Sequence, residues 1–241
     1  GLIAVGQKDT NSTTLAYMCR LDVNLDTLWT KTFSRTTQDV FYDVDEAADG
    51  SIVSVLVSGS LSSAEAVVVK LDPFGNLVWS KIIPSTPSTS VQFRLRCRGS
   101  EIVVAGVESN FSLNDDIFIR VLDSSGNEIL HRVYGDASAH DELRELVLRG
   151  AETVILTNIG SAPVRTGVIR LDGNFNLASA SIYSFSQSLS GTELMVDASG
   201  GVFVGGQITE SDGNGYSFVW KTYTDGSVAW TRKINLYGYV C

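Results

Sequence analysis

The chain of 241 residues has no run of lysine and arginine, no apolar stretch of bilayer length, and only three cysteines and two histidines. Each shortage removes a class of function. A net charge of −9 with no basic cluster argues against binding nucleic acid, which needs a basic surface. The acidic balance itself reads as solubility. No apolar run approaches the roughly 20 residues that span a bilayer, so direct membrane insertion is not expected. An odd count of cysteines without ligand-type spacing gives neither a disulfide framework nor a zinc site. Cys19, Cys97 and Cys241 are expected to be unpaired within the chain. His131 and His140, with no Gly-x-Ser-x-Gly elbow, offer no nucleophilic machinery. No glycine loop of the phosphate-cradling kind is present. Asp212-Gly213-Asn214-Gly215 lacks the spacing and closing Glu of a calcium loop and reads as a turn. No metal and no cofactor is therefore expected. There is no initiator Met and no signal peptide, and Gly1 to Val5 already reads as a strand, which suggests a processed or trimmed chain. No window of about 11 residues holds a convincing helical period.

What the chain does have is a repeat. V-V-K-L-D-P-F-G-N-L-V-W-S-K, from Val68 to Lys81, is the clearest of five copies. Its aspartate column reads Asp22, Asp72, Asp123, Asp172 and then Tyr223, in steps of 50, 51, 49 and 51 residues. A fixed period in this range signals a propeller, solenoid or array. Between residues 41 and 83, four β-rich segments of strand length are separated by Asp49-Gly50, a Ser/Gly loop and Asp72-Pro73-Phe74-Gly75-Asn76. Four short antiparallel strands per repeat, here a to d from the axis outward, make a propeller blade. The expected fold is all-β: one domain over residues 1–241, a five-bladed β-propeller of four-stranded antiparallel blades.

Asp in the turn can bond amides ahead of it, and Gly tolerates positive φ. Four residues after the Gly column stand Trp29, Trp79 and Trp230, placed to pack from strand d against a neighbouring blade. Leu130 and Ser179 replace them in two repeats, so those interfaces must be filled differently. Leu2 to Gln7, L-I-A-V-G-Q, matches V-F-V-G-G-Q at Val202 to Gln207 on strand b. The tail Leu236 to Cys241 falls where a strand a belongs. The N- and C-terminal strands would then share one blade and close the ring, removing free sheet edges.

The motif K-L-D-x-x-G-N-x-x-W resembles the short propeller repeats of secreted and cell-surface bacterial proteins, and is similar to the tryptophan-docking repeats of quinoprotein propellers. The resemblance covers all five copies and implies a propeller outside the cell or at its surface. It is weak for function, since these repeats serve unrelated roles. Nothing in the sequence matches a quinone pocket.

Binding on such a scaffold concentrates in loops. The d-to-a connections and the b-to-c loops, among them Gln7 to Thr14, Ser58 to Ala64 and Asn158 to Arg165, are expected to share one face. The innermost strands carry contrasting charges: Asp43 and Asp45 on one, Arg94 and Arg96 on the next, Glu142 and Arg144 on the third, Glu193 on the fourth. Facing the axis, these would line a polar pocket for a sugar or small polar ligand; otherwise they pair with one another or face solvent. Asp43, Asp45, Glu142 and Glu193 are the carboxylates that a glycosidase reading would need, two of them about 5–9 Å apart across the scissile bond. Asn11-Ser12-Thr13 and Asn110-Phe111-Ser112 are glycosylation-type triplets in loops.

The expected function is a non-enzymatic extracellular binding or structural module, engaging a protein or glycan at its loop face or copies of itself in an assembly. A lectin-like carbohydrate-binding propeller is the alternative, and a glycoside hydrolase the third reading. Phe111 and Tyr216 lie in ligand-type loops, but the loops at Ser58 to Ala64 and Asn158 to Arg165 lack an aromatic, which weakens a sugar site repeated in every blade.

Overall fold

The computed structural model describes residues 1–60, 64–84, 92–109, 115–135, 139–160, 163–184, 188–210 and 214–234. Two compact units divide the chain, Gly1–Tyr134 and Gly135–Cys241. All regular structure among the described residues is β, in five antiparallel sheets.

The first unit holds three sheets. β1 (Leu2–Asp9), β2 (Thr14–Leu21) and β3 (Thr27–Phe33) form the first. β4 (Asp39–Glu46), β5 (Ile52–Ser58), β6 (Glu65–Leu71) and β7 (Leu77–Ile83) form the second, in that order. β8 (Phe93–Arg98), β9 (Glu101–Ser109), β10 (Asp115–Leu122) and β11 (Glu128–Tyr134) form the third. The apolar run of β5 follows from the burial of both its faces. Ile52 and Leu56 join a core with Ala16 and Met18 of the first sheet, while Val53, Val55 and Val57 join another with Phe93, Leu95 and Phe118 of the third. With side chains alternating between faces, a sheet packed on both sides needs apolar residues at every position. Ser54 interrupts the run, and its hydroxyl is satisfied by the Asp43 carbonyl at 2.7 Å.

The second unit repeats the plan with two sheets. β12 (Asp141–Arg149), β13 (Glu152–Ile159), β14 (Arg165–Leu171) and β15 (Leu177–Tyr183) form one. β16 (Ser188–Val196), β17 (Val202–Thr209), β18 (Gly215–Thr222) and β19 (Val228–Ile234) form the other. Val154, Leu156 and Val168 meet Val204, Phe218 and Trp220 between them. Trp220 is stacked on Phe218 at 4.7 Å and touched by Tyr183 at 5.1 Å.

The repeated turn is built as its residues require. In the second sheet, the amides of Phe74 and Asn76 donate to Asp72 Oδ1 at 2.9 and 2.8 Å, and the Asn76 side chain donates to Oδ2. Asp22, Asp123 and Asp172 cap their turns in the same way. In the fifth copy Tyr223 keeps the backbone turn, and the aspartate moves to Asp225, which receives the amide and hydroxyl of Ser227. The fourth turn residue lies at positive φ in every copy: Gly75, Gly126 and Gly226, but also Leu25 at 66° and Phe175 at 58°.

Of the three tryptophans expected to pack against a neighbouring blade, Trp29 and Trp79 do so. Trp29 donates its indole N–H to the Pro73 carbonyl, and Trp79 to that of Ser124, each in the turn of the following sheet. A Cβ on Gly75 or Gly126 would come within 3.1 Å of these rings, so the glycine makes the landing site as well as the turn. Ser179 gives the fourth repeat no indole. Tyr183, four residues further along β15, takes that place and donates to the Gly226 carbonyl at 2.7 Å. Trp230 instead lies against Phe203 of its own sheet at 5.9 Å. β1 has no described neighbour on the edge away from β2. The segment Leu236 to Cys241, expected to pair there, lies outside the described residues. No helix among the described residues is long and apolar enough to cross a membrane.

Candidate functional site

In the first unit, the charged residues of the inner strands fasten one strand to the next. Asp43 Oδ2 accepts the backbone N–H of Leu95 at 2.9 Å and the Arg96 guanidinium at 2.6 Å. Two residues on, Asp45 Oδ2 accepts the N–H of Cys97 at 2.8 Å. Leu95 and Cys97 alternate along β8, whose edge away from β9 would otherwise leave these donors unpaired. The spacing of two that brought Asp43 and Asp45 into view thus matches the spacing of edge donors on the neighbouring strand. Arg94 bonds the Phe93 carbonyl at 3.0 Å, and Arg96 also bonds that of Leu95.

The second unit uses different groups. Arg144 donates from Nε to the Gly191 carbonyl at 3.2 Å and stands 3.7 Å from Glu142, while Glu193 is exposed. A β-bulge at each of Tyr42, Arg144 and Thr192 shifts the register of the inner strand. Glu145 therefore occupies on β12 the place that Asp43 holds on β4, and Glu142 does not. Asn158, expected at the start of an exposed loop, is on β13 and buried. Its amide oxygen accepts the Gly191 N–H at 3.0 Å, and its NH2 donates to the Gly191 carbonyl and Ser190 Oγ. Thr166 completes this buried network through Leu189 and Asn158. A Cβ on Gly191 would lie 2.8 Å from Thr166 Cγ2, so glycine is required there.

A basic column went without a role in the sequence reading. Arg20, Lys70, Arg120, Arg170 and Lys221 stand on the last strand but one of each repeat, at steps of 50, 50, 50 and 51 residues. Lys70, Arg120 and Arg170 are buried. Lys70 pairs with Asp49 at 3.1 Å and reaches the Ser124 carbonyl of the next sheet. Arg170 joins Glu152 at 2.5 Å to the Gly200 carbonyl at 2.6 Å. Arg20 joins Glu46 to the Pro73 carbonyl. Bonds from Ser51, then Lys70, hold the Asp49 carboxyl down at about 2. The signal was legible: one cation recurring in phase within an otherwise apolar strand.

The expected gathering of the two loop sets on one face is seen within each unit. Thr14 forms a parallel bridge with Gln38, and the Gly59 amide donates to the Gln38 carbonyl at 2.8 Å. Gly160 bonds His140, and Leu189 bonds Val164, in the second unit. Asp39 anchors the β3–β4 connection by accepting the amides of Arg35 and Thr36. Burial raises its carboxyl, but bonds from Ser58, Thr36 and Arg35 outweigh this and hold it below the usual range. On this face, Gln7, Thr14, Gln38, Val40, Tyr42 and Val57 line a cavity of about 240 Å³.

The chain is similar in structure to a subtype N11 neuraminidase-like protein of A/flat-faced bat/Peru (H18N11), with TM-score 0.58 and 9% identity over 95% of this chain and 65% of that one. It is also similar to a subtype N10 neuraminidase-like protein of A/little yellow-shouldered bat/Guatemala, with TM-score 0.51, 12% identity and coverage of 80% and 57%. The likeness is one of fold. The chain spans about two thirds or less of the length of these structures. No protein-family model matches the sequence, and no curated protein matches it.

Among the described residues, no group of three or more His, Cys, Asp and Glu stands together to hold a metal. His131 pairs with Glu108 at 3.2 Å and lies edge-on to Phe118. Cys19 and Cys97 are free, and burial, with the Asp45 charge beside it, pushes the Cys97 thiol up to about 12. Such a thiol is inert at neutral pH. Asn11 is exposed in the β1–β2 loop. Asn110, Phe111 and Cys241 lie outside the described residues.

Proposed function

We propose that the chain is a non-enzymatic binding module: a five-bladed β-propeller, displayed outside the cell or at its surface, that engages a protein or glycan through its loop face. Each of the five repeats forms one antiparallel sheet, and only the first has three described strands instead of four. In this reading the segment Leu236 to Cys241 pairs with β1 and closes the ring. The likeness to neuraminidase-like proteins supports the architecture.

The observation that carries the non-enzymatic reading is the use made of Asp43 and Asp45. Both spend a carboxylate oxygen on the backbone of β8, so neither stands free opposite a second carboxyl as glycoside hydrolysis requires. The neutral cavity on the loop face favours the glycan branch over a protein partner. A panel of fluorogenic glycosides that includes a sialoside is expected to show no turnover above buffer. Turnover that disappears in Asp43→Asn or Glu193→Gln would contradict the proposal.

A further inference from the structure

We propose that the cavity between β1, β2 and β4 binds a single neutral sugar ring, with Gln7, Thr14, Gln38 and Tyr42 as the recognising side chains. The inference rests on the loop-face reading above and gives it a ligand class and a place.

Three observations carry it. First, none of the lining residues is charged, although the protein as a whole carries −9. A charged ligand would find no counter-charge in the lining and would lose hydration on entry. Second, the polar groups are set in advance. Asp9 accepts the Gln7 amide N–H at 3.3 Å and the Thr14 hydroxyl at 2.9 Å. This turns the Gln7 carbonyl and the Thr14 lone pairs into acceptors for an incoming hydroxyl. The Gln38 side-chain amide and the Tyr42 hydroxyl also line the cavity, form no hydrogen bond with a described residue, and can donate to a ligand. A sugar hydroxyl both donates and accepts, so such a mixed set suits a polyhydroxylated ring. Third, the apolar part of the wall can take the C–H face of that ring. It consists of Val40, Val57 and Ala64 with the Tyr42 ring. Tyr42 stands at the β-bulge of β4, a device that re-aims a side chain, and Phe93 steadies its ring edge-on at 6.5 Å. Tyrosine combines an apolar body with a polar tip at low conformational cost. A cavity of about 240 Å³ lies below the usual range for larger ligands, which points to one ring rather than an extended chain.

The test is an amide-resolved NMR titration of the full chain with D-glucose, D-galactose, D-mannose, N-acetyl-D-glucosamine and, as the anionic arm, N-acetylneuraminic acid. At least one neutral sugar is expected to bind at millimolar concentration and shift the amides of Gln38 and Gly59. Gln38→Ala and Tyr42→Phe should each weaken it about tenfold, the equivalent of one lost hydrogen bond. Both side chains lack structural hydrogen bonds, and an unchanged amide spectrum without sugar will show that the variants fold. If a neutral sugar binds with affinity indifferent to both variants, this cavity is not the site, while the loop-face binding reading stands. If no neutral sugar binds, or only the anionic one does, the ligand class is wrong.

Discussion

Leu25 and Phe175 stand where three of the five turns use glycine, both at positive φ. An L-residue side chain there costs about 1–2 kcal/mol, and the two differ in what offsets it. Leu25 is 67% exposed and Phe175 is 3% exposed. Leu25→Gly should therefore stabilise the protein by about 1 kcal/mol, since it relieves the strain and loses little packing. Phe175→Gly should destabilise it by about 2 kcal/mol, because a buried ring is lost for the same relief. Urea unfolding of both variants checks this; the same sign for both would show that the turn conformation does not set the cost. The sequence made the turn itself legible, because Asp-x-x-Gly-Asn names the cap and the φ together. It did not show how two repeats manage without the glycine, because exposure depends on a neighbouring sheet.

At the scale of the strand, adjacent sheets are pinned by side chains that reach from one repeat into the next turn. Trp79 was expected to pack against the neighbouring sheet; it does so half-buried, with its N–H on the Ser124 carbonyl. Trp79→Ala should then cost about 2 kcal/mol, less than the 3–5 typical of a fully buried aromatic. Thermal unfolding measures the loss, and no change in midpoint would remove the docking role. The recurrence of tryptophan on the fourth strand was readable from the repeat alone. Its substitute Tyr183 was not, because it sits four residues out of phase with the column. The inner-strand charges were also visible, but their use was not. A carboxylate aimed at a ligand and one aimed at the edge of the next strand have the same sequence spacing. Only the placement of β8 beside β4 decides between them for Asp43 and Asp45. Asn158 was assigned to a loop because it sits among Ser, Gly and Pro; its burial comes from contacts with Ser190 and Gly191, more than thirty residues away.

For the whole molecule, the period of about fifty residues translates directly into five sheets, because each repeat carries one complete set of strands and turns. The loop-face cavity was legible in part: Gln7, Thr14, Gly59 and Ala64 lie in loops expected to share one face, while Val40, Tyr42 and Val57 come from strands of the next repeat, which no motif marks. The central proposal is that the five repeats close into one propeller, with the segment Leu236 to Cys241 supplying a fourth strand to the first sheet. Deleting Leu236 to Cys241 and following thermal unfolding by circular dichroism tests it most directly. Closure predicts a single cooperative transition for the full chain and a loss of several kcal/mol in the truncated one, as a strand's hydrogen bonds and packing disappear. An unchanged midpoint in the truncated protein would contradict it.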